Sequence, residues 1–352
     1  MKIFTTGGCG FIGSNFVIKQ ILQENNTILN FDSLTYAGNK DNLEKLKDFN
    51  DQYTFIHADI CDFSTLYNSI KDFNPDVVIH FAAESHVDRS IDNPSAFVST
   101  NIVGTTNLLQ ASFKYFSEVI SYDRGFKFIH ISTDEVYGSI KEPHLFSESS
   151  PYNPSSPYSS SKAGSDHLVR SWFKTYGFPA IITNCTNNYG QYQFPEKLIP
   201  LIIANCYDEK KLPVYGTGNN IRDWLFVEDH CDALIKVINT GQIGETYCIG
   251  GNNEVKNIDI VHKICSIMDE LKPRNNSSSY KSLIEFVDDR PGHDFRYAIN
   301  SSKAQKELSW KPKESIDSGL LKTVEWYLNN ESWWRKIQDR HNTQQRLGLN
   351  KK

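Results

Sequence analysis

A glycine-rich turn near the start of the chain constrains the fold more than any other feature. The segment Gly7-Gly8-Cys9-Gly10-Phe11-Ile12-Gly13 follows a short apolar run, Lys2–Thr6, and opens a helical pattern over Phe11–Gln23. Glycines at this spacing allow a tight turn and let a pyrophosphate approach backbone N–H groups at a helix N-terminus. An ordinary glycine turn is the alternative. The strand–turn–helix context, with Asp32 about 20 residues further on, favours a dinucleotide-binding unit.

The rest of the first half alternates apolar runs with helical patterns. The further predicted strands are Thr27–Asp32, Tyr53–His57, Val77–Ala82, Phe126–Ser132 and Ala180–Asn184. The further predicted helices include Phe63–Phe73 and Phe97–Phe116. Near-continuous apolar strands suit a parallel sheet that is covered on both faces. We therefore predict an α/β fold, a Rossmann doubly wound parallel sheet with right-handed crossovers.

After about Asn187 the pattern becomes irregular. Prolines punctuate short elements, and Gly216–Asn220 and Leu271–Ser282 have the composition of loops. We predict that this part forms a smaller mixed α/β substrate-binding domain. The predicted boundaries are 1–190 for the dinucleotide-binding domain, with 221–250 rejoining it, and 191–220 with 251–352 for the substrate domain.

Composition excludes several classes of protein. The 352 residues are 39% hydrophobic and 22% charged, which is ordinary for a globular chain, and a net charge of −5 argues against a general nucleic-acid binder. No apolar run reaches the roughly 18 residues of a membrane helix, and the first strand begins so early that we expect no signal peptide. Seven cysteines without a C-x-x-C pair predict reduced thiols and a cytoplasmic location. Ten histidines without ligand spacing predict no metal site.

Tyr158 and Lys162 indicate hydride chemistry at an alcohol carbon. They are four residues apart, so they share a helix face if the helix begins near Pro157. The pKa of a free tyrosine is about 10, and a nearby ammonium and an oxidised nicotinamide both favour the phenolate. Tyr158 could then remove a hydroxyl proton while hydride leaves the carbon. Tyr-x-x-x-Lys is common by chance, so the preceding dinucleotide-binding pattern carries this interpretation.

Asp32 indicates which dinucleotide binds. Its carboxylate would accept hydrogen bonds from the adenosine ribose and would repel a 2′-phosphate. No arginine lies between Ser33 and Asn39 to receive that phosphate, which favours NAD over NADP. Asp59 and Ile60 follow the third strand and could meet the adenine, although Asp59 could equally be an ordinary loop residue.

The segment Ser132–Gly138 places two carboxylates after the fifth strand. Ligands of open α/β sheets bind beyond the carboxyl ends of the strands, so Thr133, Asp134 and Glu135 are expected over the cofactor site. Neighbouring carboxyls can be driven to different pKa values, which gives one acid and one base. A solvated acidic turn is the alternative.

A second polar segment, Phe81–Ser90, leaves the fourth strand on the same side. Small Ala82 and Ala83 allow close approach of a cofactor, and Ser85 could bond the substrate. The remaining polar residues of this segment are interpreted as a structural network, namely Glu84, His86, Asp88 and Arg89.

Taken together, these residues resemble the nucleotide-sugar branch of the extended short-chain dehydrogenase/reductases, and more narrowly the dTDP-glucose 4,6-dehydratases. The matching stretches occur in order over nearly the whole chain. They are Thr6–Ser14, Ala82–Ser90, Ser132–Gly138, Tyr158–Lys162, Asn187–Gly190, Gln193–Pro200, Pro213–Gly218, Arg222–Trp224 and Arg290–Asp294. The Thr-Asp-Glu triplet is the specific part, because related epimerases usually carry other residues there.

The resemblance implies a role for each matching residue. Asp134 would be the acid, Glu135 the base and Tyr158 the alcohol-deprotonating residue, with Thr133 and Lys162 completing the catalytic set. The implied NAD site is Gly7, Gly10, Phe11, Ile12, Gly13, Asp32, Asp59, Ile60, Ala82, Ala83, Thr100, Tyr158, Lys162 and Asn188. The implied substrate site is Ser85, Thr133, Asn187, Lys197, Leu198, Tyr215, Arg222, Asn257, Arg290 and His293, with the cations facing a diphosphate.

The implied reaction is dehydration of a nucleoside diphosphate glucose to its 4-keto-6-deoxy form. C4 is oxidised, water leaves across C5 and C6, and hydride returns to C6. dTDP-glucose is favoured and UDP-glucose is possible. An NDP-sugar 4-epimerase or decarboxylase is the alternative, but it has no use for Asp134 and Glu135 as an acid/base pair. A non-catalytic NAD-binding regulator would be expected to have lost part of the catalytic set.

The resemblance also implies a homodimer. The helices near Asn101–Phe116 and Ser161–Tyr176 would form the dimer interface. Their apolar residues could equally belong to the ordinary core. No nucleic-acid or membrane partner is expected.

Overall fold

The computed structural model of the protein describes residues 1–119 and 125–340. The strands in chain order are β1 (Lys2–Thr6), β2 (Thr27–Asp32), β3 (Tyr53–His57), β4 (Val77–His80), β5 (Lys127–Thr133), β6 (Ala180–Cys185), β7 (Asn187–Tyr189), β8 (Leu212–Tyr215), β9 (Ile221–Phe226), β10 (Thr246–Ile249), β11 (Glu254–Lys256) and β12 (Ile284–Val287).

The helices alternate with these strands in the first half, as the sequence predicts. They are α1 (Phe11–Leu22), α2 (Phe63–Phe73), α3 (Val87–Asp92), α4 (Pro94–Phe97), α5 (Thr105–Glu118), α6 (Pro157–Tyr176), α7 (Leu198–Tyr207), α8 (Val227–Thr240), α9 (Asn257–Leu271), α10 (Ser302–Leu308), α11 (Ile316–Asn329) and α12 (Glu331–Arg340). Short 3₁₀ turns cover Lys40–Leu46, Asp134–Tyr137 and Tyr280–Leu283.

The predicted Rossmann sheet is confirmed. Its strands run in the spatial order β3-β2-β1-β4-β5-β6-β10, and every neighbouring pair is parallel. The order of the strands reverses between β1 and β4. In open sheets of this kind, the crevice for a ligand lies beyond the carboxyl ends of the strands at that reversal.

Both faces of the sheet are buried, as its apolar strands require. Ile3 of β1 packs with residues of α1, α8 and α10 in one apolar cluster. Its neighbour Phe4 packs with residues of α2, α5 and α6 in another. Successive side chains on a strand point to opposite faces, so an unbroken apolar strand is stable only between two layers of helices.

The remainder of the chain builds smaller sheets around a third apolar cluster. β9 pairs with β7 in parallel and with β11 in antiparallel, while β8 and β12 form a parallel pair. The cluster joins α7, α9 and α11. Within the predicted return at 221–250, β9 lies in the smaller sheet, whereas α8 packs on α1 and β10 joins the large sheet. The domain boundaries stay a prediction, and residues 341–352 lie outside the described part.

The prediction of one regular helix over Phe97–Phe116 is wrong. The structure has α4, then a π-helical turn over Val98–Gly104, and then α5. Gly104 abuts Ile60, where a Cβ atom would lie 2.5 Å from the Ile60 Cδ1 atom. A π turn inserts an extra residue and is frequent at functional sites, and a regular apolar period cannot reveal it.

All seven cysteines are free thiols in this fold. In the part of the chain that the structure describes, no helix combines the length and the apolar character needed to cross a membrane.

Gly13→Ala is expected to lower the free energy of unfolding by about 1–3 kcal/mol, because overpacking against backbone cannot relax easily. A Cβ atom at Gly13 would lie 2.3 Å from the Gly7 carbonyl oxygen. Urea denaturation measures the change. Gly10→Ala is the matched control, since its φ is −77° and its Cβ atom would be 3.3 Å from the same oxygen. Equal losses in the two variants would contradict this packing argument.

Candidate active site

The glycine-rich turn joins β1 to α1 and packs against the loop after β4. Gly7 has a φ of +73°, and a Cβ atom there would lie 2.5 Å from the Ala82 nitrogen. Gly10 is the N-cap of α1 and has no side chain to cover the first turn of the helix. The turn therefore presents helix N–H groups toward the crevice, which suits a pyrophosphate.

One cleft along the carboxyl ends of the strands brings most of the predicted site together. All five predicted catalytic residues line it, and so do all fourteen residues of the predicted NAD site. Four of the predicted substrate residues line it as well, namely Ser85, Thr133, Asn187 and Lys197. Residues that are remote in sequence thus share one cleft at the point where the strand order reverses.

Asp32 is fixed at the end of β2. One carboxylate oxygen accepts the Cys9 N–H and the other accepts the Leu34 N–H, each at 2.8 Å. Burial raises the pKa of Asp32, and these two donors oppose that shift. Each oxygen keeps a second lone pair, so the carboxylate can still accept hydrogen bonds from ribose hydroxyls.

Tyr158 and Lys162 lie on the first turns of α6. The helix begins at Pro157, as predicted, and Ser156 and Ser159 form a reciprocal capping box. The Lys162 ammonium donates to the Ile131 carbonyl at 2.8 Å. Tyr158 is only 8% exposed. The cap and the strand carbonyl therefore fix both side chains at the cleft.

Burial governs the pKa of Tyr158 in the protein without a dinucleotide. In the protein alone, burial raises it well above its usual value, nearby Glu135 and Cys185 add to the effect, and a hydrogen bond with Thr133 opposes it. The expected phenolate is therefore not favoured by the chain itself. The reason is that desolvation exceeds the help that neighbouring groups provide to the charged form.

A buried polar network lies behind Lys162. Nε2 of His130 is 3.1 Å from Asp166 Oδ1 and 3.5 Å from the Lys162 ammonium. The other oxygen of Asp166 accepts from Ser132, Tyr152 and Asn184 at 2.9, 2.7 and 3.2 Å. Burial opposes ionisation of Asp166, but His130 and Lys162 outweigh it and lower its pKa. A buried carboxylate thus compensates the buried ammonium.

A 3₁₀ turn over Asp134–Tyr137 aims both carboxyls into the cleft. The Thr133 hydroxyl caps this turn by accepting the Glu135 N–H at 3.2 Å. Adjacent residues of a strand point to opposite sides, so two neighbouring carboxyls can line one cleft only because the strand stops at Thr133.

The two carboxyls sit in different electrostatic surroundings, although burial raises the pKa of both. Burial raises the pKa of Asp134 well above its usual value, the charges of Glu135 and Asp223 raise it further, and Arg222 opposes the shift. Burial also raises the pKa of Glu135, but Arg290, Arg222 and Lys197 act against that shift. Burial and like charges therefore favour the protonated form of Asp134, whereas three cations favour the ionised form of Glu135.

The predicted substrate residues outside the cleft lining come from the smaller sheets and their loops. Arg222 donates to the carbonyls of Ile221 and Asp294 at 2.7 and 2.9 Å. Tyr215 donates to Asp88 at 3.1 Å, and Arg290 is 3.4 Å from the same carboxylate. Leu198 begins α7 directly after Lys197.

Several buried polar atoms of the predicted catalytic and substrate residues have no hydrogen-bond partner within the described protein. They are Asn187 Oδ1, Asn257 Oδ1, Arg290 Nη1 and Asp134 Oδ2. Buried polar groups are normally satisfied, so these atoms indicate a surface built for a polar ligand. His293 does not add a cation, because burial, together with Arg290 and Arg222, lowers its pKa to about 4.

The sequence arguments missed several residues that line the cleft. Tyr36, Phe194 and Glu196 belong to this group, and Glu84 had been assigned to a structural network. Glu196 lies inside the stretch Gln193–Pro200 that carried the resemblance, which was the available signal. No local signal marks Tyr36. Among residues 1–119 and 125–340, no group of three or more His, Cys, Asp or Glu side chains is placed to hold a metal ion.

A parallel Rossmann sheet with a Tyr-x-x-x-Lys pair facing its glycine-rich turn defines an extended short-chain dehydrogenase/reductase. A family model described as GDP-mannose 4,6 dehydratase matches residues 4–323. A dTDP-glucose 4,6-dehydratase of Escherichia coli is 53% identical over 363 residues, which covers 99% of each chain. The chain therefore belongs to the dTDP-glucose 4,6-dehydratase family, and the predicted resemblance is confirmed.

Solved structures agree with this assignment. A dTDP-glucose 4,6-dehydratase from Streptomyces venezuelae matches with a TM-score of 0.85 at 42% identity, covering 96% of this chain and 100% of that one. A dTDP-glucose 4,6-dehydratase from Bacillus anthracis, solved in complex with NAD, matches with a TM-score of 0.84 at 44% identity, covering 96% and 99%.

Proposed function

We propose that the protein is an NAD-dependent 4,6-dehydratase that converts dTDP-glucose to dTDP-4-keto-6-deoxyglucose. The observation that carries the proposal is the pair Asp134 and Glu135, which line the cleft beside Tyr158 and whose different surroundings suit one acid and one base. Oxidation alone needs only Tyr158 and Lys162. An adjacent acid and base add the means to remove water.

The cleft fits NAD. The residues that would hold it are the glycine-rich turn at its diphosphate, Asp32 at its adenosine ribose, and Tyr158 with Lys162 near its reactive end. The oxidised nicotinamide would accept hydride from C4, return it to C6, and add positive charge beside Tyr158. The family resemblance and the NAD complex of the Bacillus anthracis relative both support this assignment.

The protein's own groups would then move the protons. Tyr158 takes the proton of the C4 hydroxyl. Glu135 removes the C5 proton, which the new C4 ketone acidifies, and Asp134 protonates the C6 hydroxyl as it leaves. Glu135 returns its proton to C5 when C6 is reduced. Lys197, Arg222 and Arg290 would bind the diphosphate, since arginine can bond two of its oxygens at once.

This series of proton transfers leaves one proton to be redistributed. After each turnover Tyr158 holds an extra proton and Asp134 lacks one. The Thr133 hydroxyl lies 3.4 Å from Asp134 Oδ1 and also hydrogen-bonds Tyr158, so it connects the two groups. We therefore assign Thr133 a place in the catalytic set.

The product from dTDP-glucose is expected to be lighter than its substrate by one water, measured by mass spectrometry. A product of unchanged mass would support the epimerase alternative instead.

UDP-glucose assayed in parallel tests the selectivity for the nucleobase. Thymine differs from uracil by one methyl group, worth about 1–3 kcal/mol in an apolar pocket, so kcat/KM should favour dTDP-glucose by about 10–200-fold. A much larger ratio would show that the site reads the ribose or base by hydrogen bonds.

The protein stripped of cofactor should bind NAD about 10²-fold more tightly than NADP, because a 2′-phosphate would face the Asp32 carboxylate. Calorimetric titration with each dinucleotide measures the ratio. Asp32→Asn is the matched variant, since it removes the charge and keeps one oxygen acceptor. Its preference for NAD over NADP should be weaker than that of the parent protein. Equal affinities in the parent protein would refute the role assigned to Asp32.

We also propose a homodimer and the two-domain division given by the sequence. α5 and α6 would form the dimer contact, as the resemblance implies. Exposed apolar side chains near these helices support it, with Val103 48% and Tyr176 53% exposed. Sedimentation of the purified chain tests the dimer, and a monomer at micromolar concentration would exclude it.

A further inference from the structure

Three segments meet at the rim of the cleft through side chains that the catalytic argument does not use. Arg89, in α3 after β4, donates to Glu196 Oε2 from Nη2 at 3.0 Å and from Nε at 3.3 Å. Its guanidinium also lies over the ring of Tyr36, in the loop after β2, at 4.0 Å. Tyr36 in turn meets the ring of Phe194 edge-on, with ring centroids 5.5 Å apart.

The contact is largely desolvated. The Glu196 side chain is 5% exposed and the Arg89 side chain 32%. Cation–aromatic and charge-assisted contacts are stronger away from water than at an open surface. The other oxygen of Glu196 faces His86 at 3.6 Å, and burial and nearby cations lower the pKa of His86 well below its usual value. Arg89 is therefore the charged partner that Glu196 touches in this contact.

The position of the contact relates it to the cofactor. Tyr36, Phe194 and Glu196 line the same cleft as Gly10 and Phe11 of the glycine-rich turn. Tyr36 follows the strand that ends at Asp32, whereas Glu196 precedes Lys197 of the substrate site. Arg89 stacks on Tyr36 and donates to Glu196, so it joins the loop after β2, beside the predicted NAD site, to the segment before α7, beside the predicted substrate site.

We propose that Tyr36, Arg89 and Glu196 form a clasp that holds NAD in the cleft between turnovers. The inference rests on the proposed function, in which NAD is oxidised and regenerated within one cycle and need not leave. These three are positioning residues, because they act by keeping the cleft closed. Arg89 contacts both other side chains, so its neutralisation removes two contacts and leaves the hydrogen bond between Tyr36 and Glu196, which weakens the clasp.

The test is the rate at which the holoenzyme loses NAD. Parent protein and Arg89→Gln are saturated with NAD and passed through a desalting column, and bound NAD per chain is followed over time after acid release. The dissociation rate of NAD should rise about tenfold or more in Arg89→Gln, because the clasp must open before NAD leaves and its weakening makes that opening faster. Activity lost on desalting should return when NAD is added. Arg89→Lys keeps the positive charge but not the planar guanidinium group. Its NAD dissociation rate should therefore lie between those of the parent protein and Arg89→Gln.

Arg335→Gln is the control. It breaks a similar pair, in which Arg335 donates to Asp208 at 2.8 Å, at residues that do not line this cleft. It should retain NAD like the parent, so a general loss of stability is distinguished from opening of the clasp. Glu196→Gln and Tyr36→Leu test the same contact if Arg89→Gln does not fold.

Two failures are distinguishable. If the parent retains NAD and the clasp variants release it at the same rate as the parent, the clasp is overturned and the proposed function stands. If the parent binds no NAD at all, the proposed function fails first.

Discussion

Tyr158→Phe should lower kcat by about 10²–10⁴-fold, the usual contribution of a positioned proton acceptor. The substitution removes only the phenolic oxygen, and the ring can keep its edge-on packing against Phe97. Without that oxygen, no group in the proposed mechanism takes the C4 hydroxyl proton. Substrate mixed with the NAD-loaded variant should therefore give neither NADH absorbance nor product.

Tyr115→Phe is the matched control for this loss. Tyr115 is buried and donates its hydroxyl to Asn74 at 2.6 Å, and it does not line the cleft. Its removal should affect stability more than kcat. NADH formation by Tyr158→Phe at the parental rate would show that a different group deprotonates the alcohol.

Glu135→Gln should separate oxidation from elimination. The amide has nearly the same shape as the carboxylate but cannot take the C5 proton, so product formation should fall by about 10²–10⁴-fold. The oxidation apparatus is untouched. The charge of Glu135 raises the pKa of Tyr158, so its removal should not hinder the first step. NADH should therefore accumulate when the variant meets dTDP-glucose, as stopped-flow absorbance would record.

Asp134→Asn provides the comparison for Glu135→Gln. It removes the acid and keeps the C5 base, so exchange of the C5 hydrogen with deuterated solvent should persist while loss of water slows. Glu135→Gln should lose that exchange. If Glu135→Gln dehydrates the sugar at near the parental rate, another residue is the base and the acid/base assignment fails.

The strands and the cofactor motif could be read from the sequence because they depend on neighbouring residues. β1, β2 and β3 have the predicted boundaries, and α6 begins at the predicted Pro157. Each of these signals depends on only a few neighbouring residues. They are a continuous apolar strand, a glycine at a position with no room for a Cβ atom, and a proline at the first position of a helix. The π turn over Val98–Gly104 was not predicted, because a regular apolar period does not distinguish it from an α-helix.

The sequence by itself determined the fold class and the dinucleotide-binding turn, and it supplied the candidate catalytic side chains. Only the tertiary structure decided their protonation and their partners. Asp134 and Glu135 are adjacent in the chain, yet residues from remote segments distinguish them electrostatically. Arg290 and Lys197 lower the pKa of Glu135, whereas Asp223 raises that of Asp134. Likewise, Arg89 of α3 meets Tyr36 and Glu196 only after segments that are remote in sequence come together. Desolvation and Coulomb interactions depend on distance in space, so the order of residues along the chain does not specify them until the chain has folded.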